Sequence, residues 1–314
     1  NPEDVISNLN TDNSGQTENV ALEAPPVSLS RTEANIVQPY SEYSILVEAE
    51  DYDPVDISGI EILSTTNAIQ NVRLVRSFRG DEGSDIVIPA HTLYGYYPPK
   101  IAEAEIKPMN ESGEIVLSRV VVPETIVVHD GSPSDSTAKD YYVSYTDYVK
   151  NVASSEIYPT WDESALRANI YAIVSFALNR VYTEFYRSRG YDFEITNSTA
   201  FDQAFVNGRS YFENVSRLVD ELFNDYLRRP GFVEPLAAKF CNGTTVTCEG
   251  LSQWGSQNLA QQGYNSQQIL RSYYGNVEIV NNAPVMGISS SYPGRPLRRG
   301  TTGPGVVTIQ TELN

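Results

Sequence analysis

The sequence predicts an α+β protein, with an N-terminal β-sandwich followed by a mixed helical and β domain. Three observations lead there. Residues 1–77 carry short period-2 apolar runs split by turn residues, such as Asp12-Asn13-Ser14-Gly15 and Asp53-Pro54. Beyond residue 160 the period changes to helical, with apolar stripes that stop at glycines. The charge also changes along the chain. Of 314 residues, 22 are Lys or Arg and 40 are Asp or Glu, a net charge of −18. Residues 1–150 hold 9 basic and 25 acidic side chains, whereas residues 151–314 hold 13 and 15. An acidic front half and a near-neutral back half predict two different regions, the first a solvated spacer.

In the front half, strands are predicted at Val20–Ala24, Tyr43–Ala49, Ile60–Leu63 and Gln70–Val75. Residues 78–123 hold no sustained period. Pro89, Pro98, Pro99 and Pro108 break them, and Tyr94, Tyr96 and Tyr97 cluster there, which predicts an extended connector packed along a neighbour. Val120–Val122 and Ile126–Val128 read as buried strands. Thr160-Trp161-Asp162-Glu163 has the Ser/Thr-x-x-Glu form of a capping box, predicting a helix to about Arg187 that stops at Gly190. Further helices are predicted over about 198–205, 211–226, 252–262 and 266–274, then a strand at Val277–Val280 and a last strand-like run at Val306–Leu313.

Composition narrows the chemistry. So acidic a chain is poorly suited to nucleic acid, whose recognition runs on Lys and Arg. No apolar run reaches the ~18–20 residues of a membrane span. The polar opening Asn1-Pro2-Glu3-Asp4 reads as either a cytosolic chain or a mature secreted one. Two histidines, His91 and His129, give no candidate triad for serine or cysteine hydrolysis, and neither standard phosphate-binding glycine loop is present. Cys241 and Cys248 fit either a small disulfide loop or part of a metal site, but two cysteines do not complete a four-ligand zinc site.

Carboxylates remain. Glu156 lies in Asn151-Val152-Ala153-Ser154-Ser155-Glu156-Ile157-Tyr158-Pro159-Thr160-Trp161, among small and aromatic residues. A carboxyl held against aromatics loses hydration and can serve as an acid near neutral pH; the alternative is a glutamate in a solvated loop approaching a helix. In Gly250-Leu251-Ser252-Gln253-Trp254-Gly255, glycines permit close backbone approach, and an amide beside the Trp254 face suits sugars; the alternative is a helix capped by Ser252 with Trp254 in the core.

These segments resemble one family. Tyr148–Glu156, Trp161, Ala165–Ala168, Phe176–Leu178, Phe193–Thr199 with Gln203, and Gly250–Gly255 match, in order and spacing, the domain of the stage II sporulation protein D and amidase-enhancer family. The resemblance covers about half of the chain. It implies a lytic transglycosylase acting on peptidoglycan glycan strands, with Glu156 as the catalytic acid and Ser252 and Gln253 in the substrate groove. Ser155, Trp161, Gln203 and Trp254 join them as candidate substrate contacts. Two departures stand out: Thr247-Cys248-Glu249-Gly250 replaces the family's His-Gly-x-Gly, and Val174 stands where the family's helix carries arginine. Some members bind zinc through one histidine and two cysteines; the cysteines alone are matched here, and no cofactor is predicted.

The flanks resemble known modules too. Residues 1–77 are similar to a transthyretin-like or carboxypeptidase-regulatory β-sandwich, and residues 291–300 with 306–313 to the start of a peptidoglycan-binding repeat. The predicted organisation is a sandwich at 1–77, a connector at 78–123, the family domain at 124–282 and a tail at 283–314. Two functions of different class follow. One is a transglycosylase-like enzyme of the cell wall or spore surface. The other is an inactive structural subunit of a surface or spore-coat assembly, a homo-oligomer or filament joined by strand exchange.

Overall fold

A computed structural model describes residues 5–33, 35–77, 83–103, 105 and 119–286 of the chain. The predicted peptidoglycan-binding repeat, the run at 306–313 and much of the connector (78–82, 104 and 106–118) lie outside the described residues.

An extended, exposed run leads into a four-residue helix, α1 (Ser28–Arg31). The strand predicted at Val20–Ala24 is part of that run, because among the described residues no strand pairs with it. β1 (Ser41–Val47) and β2 (Val55–Ile62) pair antiparallel. After β3 (Ala68–Ile69), β4 (Ser84–Val87) lies parallel to β2, giving a three-stranded sheet in the order β1-β2-β4. Tyr43 faces Ile60 and Ile45 faces Ile57, so Ser58 and Gly59 together oppose Ser44. This bulge requires glycine: Gly59 has φ +80°, and a Cβ there would stand 2.3 Å from the Ile88 carbonyl oxygen. By absorbing one residue, the bulge returns Ile60 to the face of Val55 and Ile57, and the three pack with Ile88 in a small core. The run predicted at Gln70–Val75 has no regular structure; the strand in this stretch is β3, just before it.

The remainder is mixed. β5 (Val122–Pro123) precedes β6 (Thr125–His129) and β7 (Asp140–Ser144), which form a hairpin. Helices α2 (Tyr145–Glu156) and α3 (Glu163–Tyr182) follow, then β8 (Ile195–Thr196), β9 (Tyr211–Phe212) and α4 (Glu213–Leu222). β10 (Tyr226–Arg228), β11 (Phe240–Cys241) and β12 (Leu251–Ser252) lead to α5 (Gln253–Gln261), α6 (Ser266–Tyr274), β13 (Glu278–Val280) and β14 (Val285–Met286). Strand β6 is central in a sheet ordered β7-β6-β8, and β10 pairs with β13, β11 with β12, β5 with β14, and β3 with β9.

α3 is the axis of this part: 15 of its 20 residues are buried, and α2, α4, α5, α6 and β10 pack around it. Alanines at 165, 168, 172 and 177 allow close approach, and several of the polar groups it buries are paired. Asn169 Nδ2 donates to Ser256 Oγ at 2.7 Å, and Ser175 Oγ accepts from the Leu227 amide at 2.8 Å.

Three predicted local features differ. The capping box does not form: Asp162 is at the N-cap of α3, and Thr160 Oγ1 bonds instead to Ser30 Oγ at 2.6 Å. Asp162 is held by Gln257, which donates to its carboxylate at 2.8 Å and accepts from its amide at 3.0 Å. Tertiary partners thus replace the local cap. α3 ends at Tyr182, and a separate 3-10 turn at Arg187–Arg189 closes on Gly190, whose φ is +88°. Residues 198–205 form turns, because the Asp202 carboxylate is drawn inward by Arg180, Tyr186 and Thr196.

The acidic N-terminal part is not a detached spacer. Tyr40 and Leu63 belong to the main core with α2 and α3, Trp161 Nε1 donates to the Ser30 carbonyl at 2.9 Å, and Arg31 Nε donates to the Thr160 carbonyl at 2.6 Å. Glu61 of β2 is ion-paired with Arg209, and both side chains are buried. Charge balance along the chain does not report where apolar side chains pack.

Candidate active site at Glu156

Helix α2 places Glu156. It starts at Ser144, whose Oγ accepts from the Asp147 amide at 3.2 Å, and its buried face carries Tyr145, Tyr148, Val149, Val152 and Ala153. Glu156 is its last residue and is 0% exposed, so the solvated-loop alternative is overturned.

The carboxylate gathers distant segments. Oε1 accepts from the Ala204 amide at 2.8 Å, and Oε2 accepts from Gln253 Nε2 at 3.0 Å. Gln253 Nε2 also donates to the Glu156 carbonyl at 3.0 Å. Gln253 is brought there by α5, whose N-cap is Ser252; the Ser252 hydroxyl accepts from the Gly255 amide at 2.9 Å. The Gln253 Oε1 atom is buried and accepts no hydrogen bond among the described residues.

The other predicted residues surround this centre in different roles. Ser155 is buried and donates back to the Asn151 carbonyl at 2.9 Å. Gln203 is spanned by core groups, accepting from the Tyr148 hydroxyl at 2.9 Å and donating to the Ile173 carbonyl at 3.1 Å, so it positions Ala204 rather than facing the carboxylate. Trp161 and Trp254 are buried together with ring centres 5.0 Å apart, and Tyr158 lies edge-on to both. The two rings pack against each other at a 53° tilt within the core. Cys241 and Cys248 are joined in a disulfide, so neither is a thiolate ligand; among the described residues no group of three or more His, Cys, Asp or Glu side chains is arranged to hold a metal.

Sequence reading missed what covers the carboxylate. Residues 91–103 run across it. Thr92 Oγ1 donates to the Ser155 carbonyl at 2.7 Å and stands 3.5 Å from Glu156 Oε2. Tyr97 is buried, its hydroxyl without a hydrogen-bond partner among the described residues. Burial, and then the Glu156 charge, push its phenol well above the usual range. Lys100 Nζ donates to the Asp202 carbonyl at 2.6 Å and sits 5.6 and 5.1 Å from the ring centres of Tyr97 and Phe240. Burial pulls its ammonium down to about 8, against the Glu156 and Asp202 carboxylates, which hold it up. The Ile101 amide donates to the Ala200 carbonyl at 2.8 Å. Glu103 meets Arg180 in a two-point pair of 2.6 and 2.7 Å, and Lys239 Nζ donates to the Glu103 carbonyl. The one available signal was the Tyr94-Gly95-Tyr96-Tyr97 cluster between prolines.

The Glu156 carboxyl is thus buried, with a nitrogen donor on each of its oxygens. No helix among the described residues is long and apolar enough to cross a membrane. Compared with protein-family models and with curated proteins, the chain matches none.

Proposed function

We propose that this chain is a peptidoglycan-directed, lytic-transglycosylase-like protein of the cell wall or spore envelope, with Glu156 as its general acid and base. One observation carries the reading: Gln253, which the family resemblance selects, and Ala204, the residue after the selected Gln203, both donate to the Glu156 carboxylate. In the proposed reaction the protonated Glu156 gives its proton to the bridging glycosidic oxygen as the C–O bond breaks. The sugar's own hydroxyl then attacks the anomeric carbon and returns its proton to the carboxylate, closing an anhydro ring without water. One carboxyl suffices, unlike the two of ordinary glycosidases. Gln253 and the Ala204 amide stabilise the carboxylate left after the first transfer. We read the sheet β1-β2-β4 as part of a transthyretin-like sandwich, and the disulfide fits an oxidising, extracellular setting. The test is anhydro-sugar release from purified glycan strands. The wild-type chain, or a variant with residues 91–103 loosened, releases product and Glu156→Gln releases none; absence of product from every form overturns the reading.

A second reading is favoured by the complete enclosure of Glu156: an inactive subunit of a surface or spore-coat assembly. The β1 edge, with Ile45 and Leu46 exposed, would accept a strand from a neighbouring copy in a filament. Deleting residues 303–314 would then abolish polymers seen by electron microscopy.

A further inference from the structure

We infer that residues 92–103 form a built-in cover that occupies the glycan groove, so the resting chain is latent and substrate reaches Glu156 only when this strap withdraws. The inference rests on Glu156 being the acid.

Beneath the strap lie acceptors, the carbonyls of Ser155, Ala200 and Asp202, the Glu156 carboxylate and the partnerless Oε1 of Gln253, and at its far end the donors Arg180 and Lys239. The strap supplies the three carbonyls with donors, the Thr92 hydroxyl, the Ile101 amide and the Lys100 ammonium, and supplies Arg180 and Lys239 with the Glu103 carboxylate and carbonyl. A glycan presents the same kind of groups, hydroxyls and N-acetyl N–H, along an extended polymer. The strap therefore occupies polar groups around Glu156 of the kind that bond sugar hydroxyls and N-acetyl groups.

The strap is also built to leave. It has no helix or strand, and Pro98 and Pro99 hold its middle extended. It is anchored near its ends, at Thr92 and at Lys100–Glu103, while Tyr96 between them is 85% exposed. Two of its inward groups are held against their preference: the Tyr97 hydroxyl has no hydrogen-bond partner among the described residues, and the Lys100 ammonium is taken out of water. Both regain water when the strap lifts, which places it among the less stable parts of the chain. α3, by contrast, is fixed by bonds such as Asn169 to Ser256 and Ser175 to Leu227, and it carries Arg180, the anchor of Glu103.

The experiment compares the full-length wild type with the Lys100→Ala/Glu103→Ala double variant. Two quantities are read: hydrogen exchange of residues 92–103 and of α3, and anhydro-sugar release from purified glycan strands. The expected result is at least tenfold faster exchange of 92–103 with α3 unchanged, and at least tenfold more product, abolished by adding Glu156→Gln. If exchange of 92–103 does not quicken, these anchors do not hold a cover and the inference is overturned. If the strap opens but an active wild type gains nothing, the inference is overturned and the Glu156 reading stands. If the strap opens and no form releases product, both fail. Should the double variant lose α3 protection, Lys100→Met alone carries the same comparison.

Discussion

Glu61 and Arg209 form an ion pair in which each side chain is 2% exposed, tying β2 to the loop before β9. It is a rivet between the acidic N-terminal part and the helical part. Removing one partner strands the other charge in the interior, which typically costs about 3–5 kcal/mol. Glu61→Gln should therefore lower the unfolding free energy by about that amount. The joint variant Glu61→Leu/Arg209→Met leaves no uncompensated charge and should lose less than either single change. Urea unfolding of the four proteins checks this, and a double variant as weak as the sum of the singles would refute it.

His91 makes the fold sensitive to acid. Burial, aided by the positive charge of Arg209, holds its imidazole well below the usual 6.5. The folded chain keeps it neutral where the unfolded chain takes up a proton, so its contribution is intact above pH 6.5 and is lost as the pH falls. Below pH 6.5 this site should remove about 1.4 kcal/mol of stability per pH unit until the folded-state value is reached. His91→Gln should show a shallower acid slope in denaturation curves from pH 6.5 to 5. Parallel slopes would assign the acid loss to other groups.

Lys100 acts in the opposite pH range. Its folded value is about 8 against 10.5 for the free side chain, so below pH 8 the buried ammonium opposes folding. That opposition fades as the pH rises through 8. Between pH 7 and 9.5 the wild type should gain roughly 1–2 kcal/mol relative to Lys100→Met. The window stops short of tyrosine ionisation, and equal pH profiles for the two proteins would contradict the prediction.

The Cys241–Cys248 disulfide closes a loop with six residues between the bonded pair. A loop of that size stabilises by about 2–3 kcal/mol through restriction of the unfolded chain. Cys241→Ser/Cys248→Ser should show that loss in urea, and wild type in reductant should match it. Identical midpoints with and without reductant would exclude the contribution.

The legible parts of the fold were those fixed by short-range pattern. α6 was predicted at its observed bounds, with Gly275 ending it, and α5 came within a residue at each end, because Ser252 and Gly263 mark it locally. β1 was recognisable from its alternation, whereas only Ile60–Ile62 of β2 fell in a predicted strand and the Gly59 bulge was not foreseen. α2 was missed, since Tyr145–Glu156 is rich in residues equally suited to strands and its buried face is defined by α3 and α4. At the site, Glu156 and Gln253 were singled out and lie 3.0 Å apart through their side chains. Ser155, Gln203, Trp161 and Trp254 were singled out too, but their polar groups or ring faces are engaged within the core.

Read from the residues alone, this is a mixed α+β chain, acidic in front and near-neutral behind. Composition and periodicity carry that much because they depend on neighbours a few residues apart. Only the tertiary structure decided that Glu156 is fully enclosed, that Ala204 and Gln253 hold it and that residues 91–103 cover it. It also decided that Thr160 bonds Ser30 instead of capping α3, and that the acidic half shares the main core. Each of these depends on partners tens to more than a hundred residues away, and a buried polar group takes whichever partner the packed chain brings within hydrogen-bond reach.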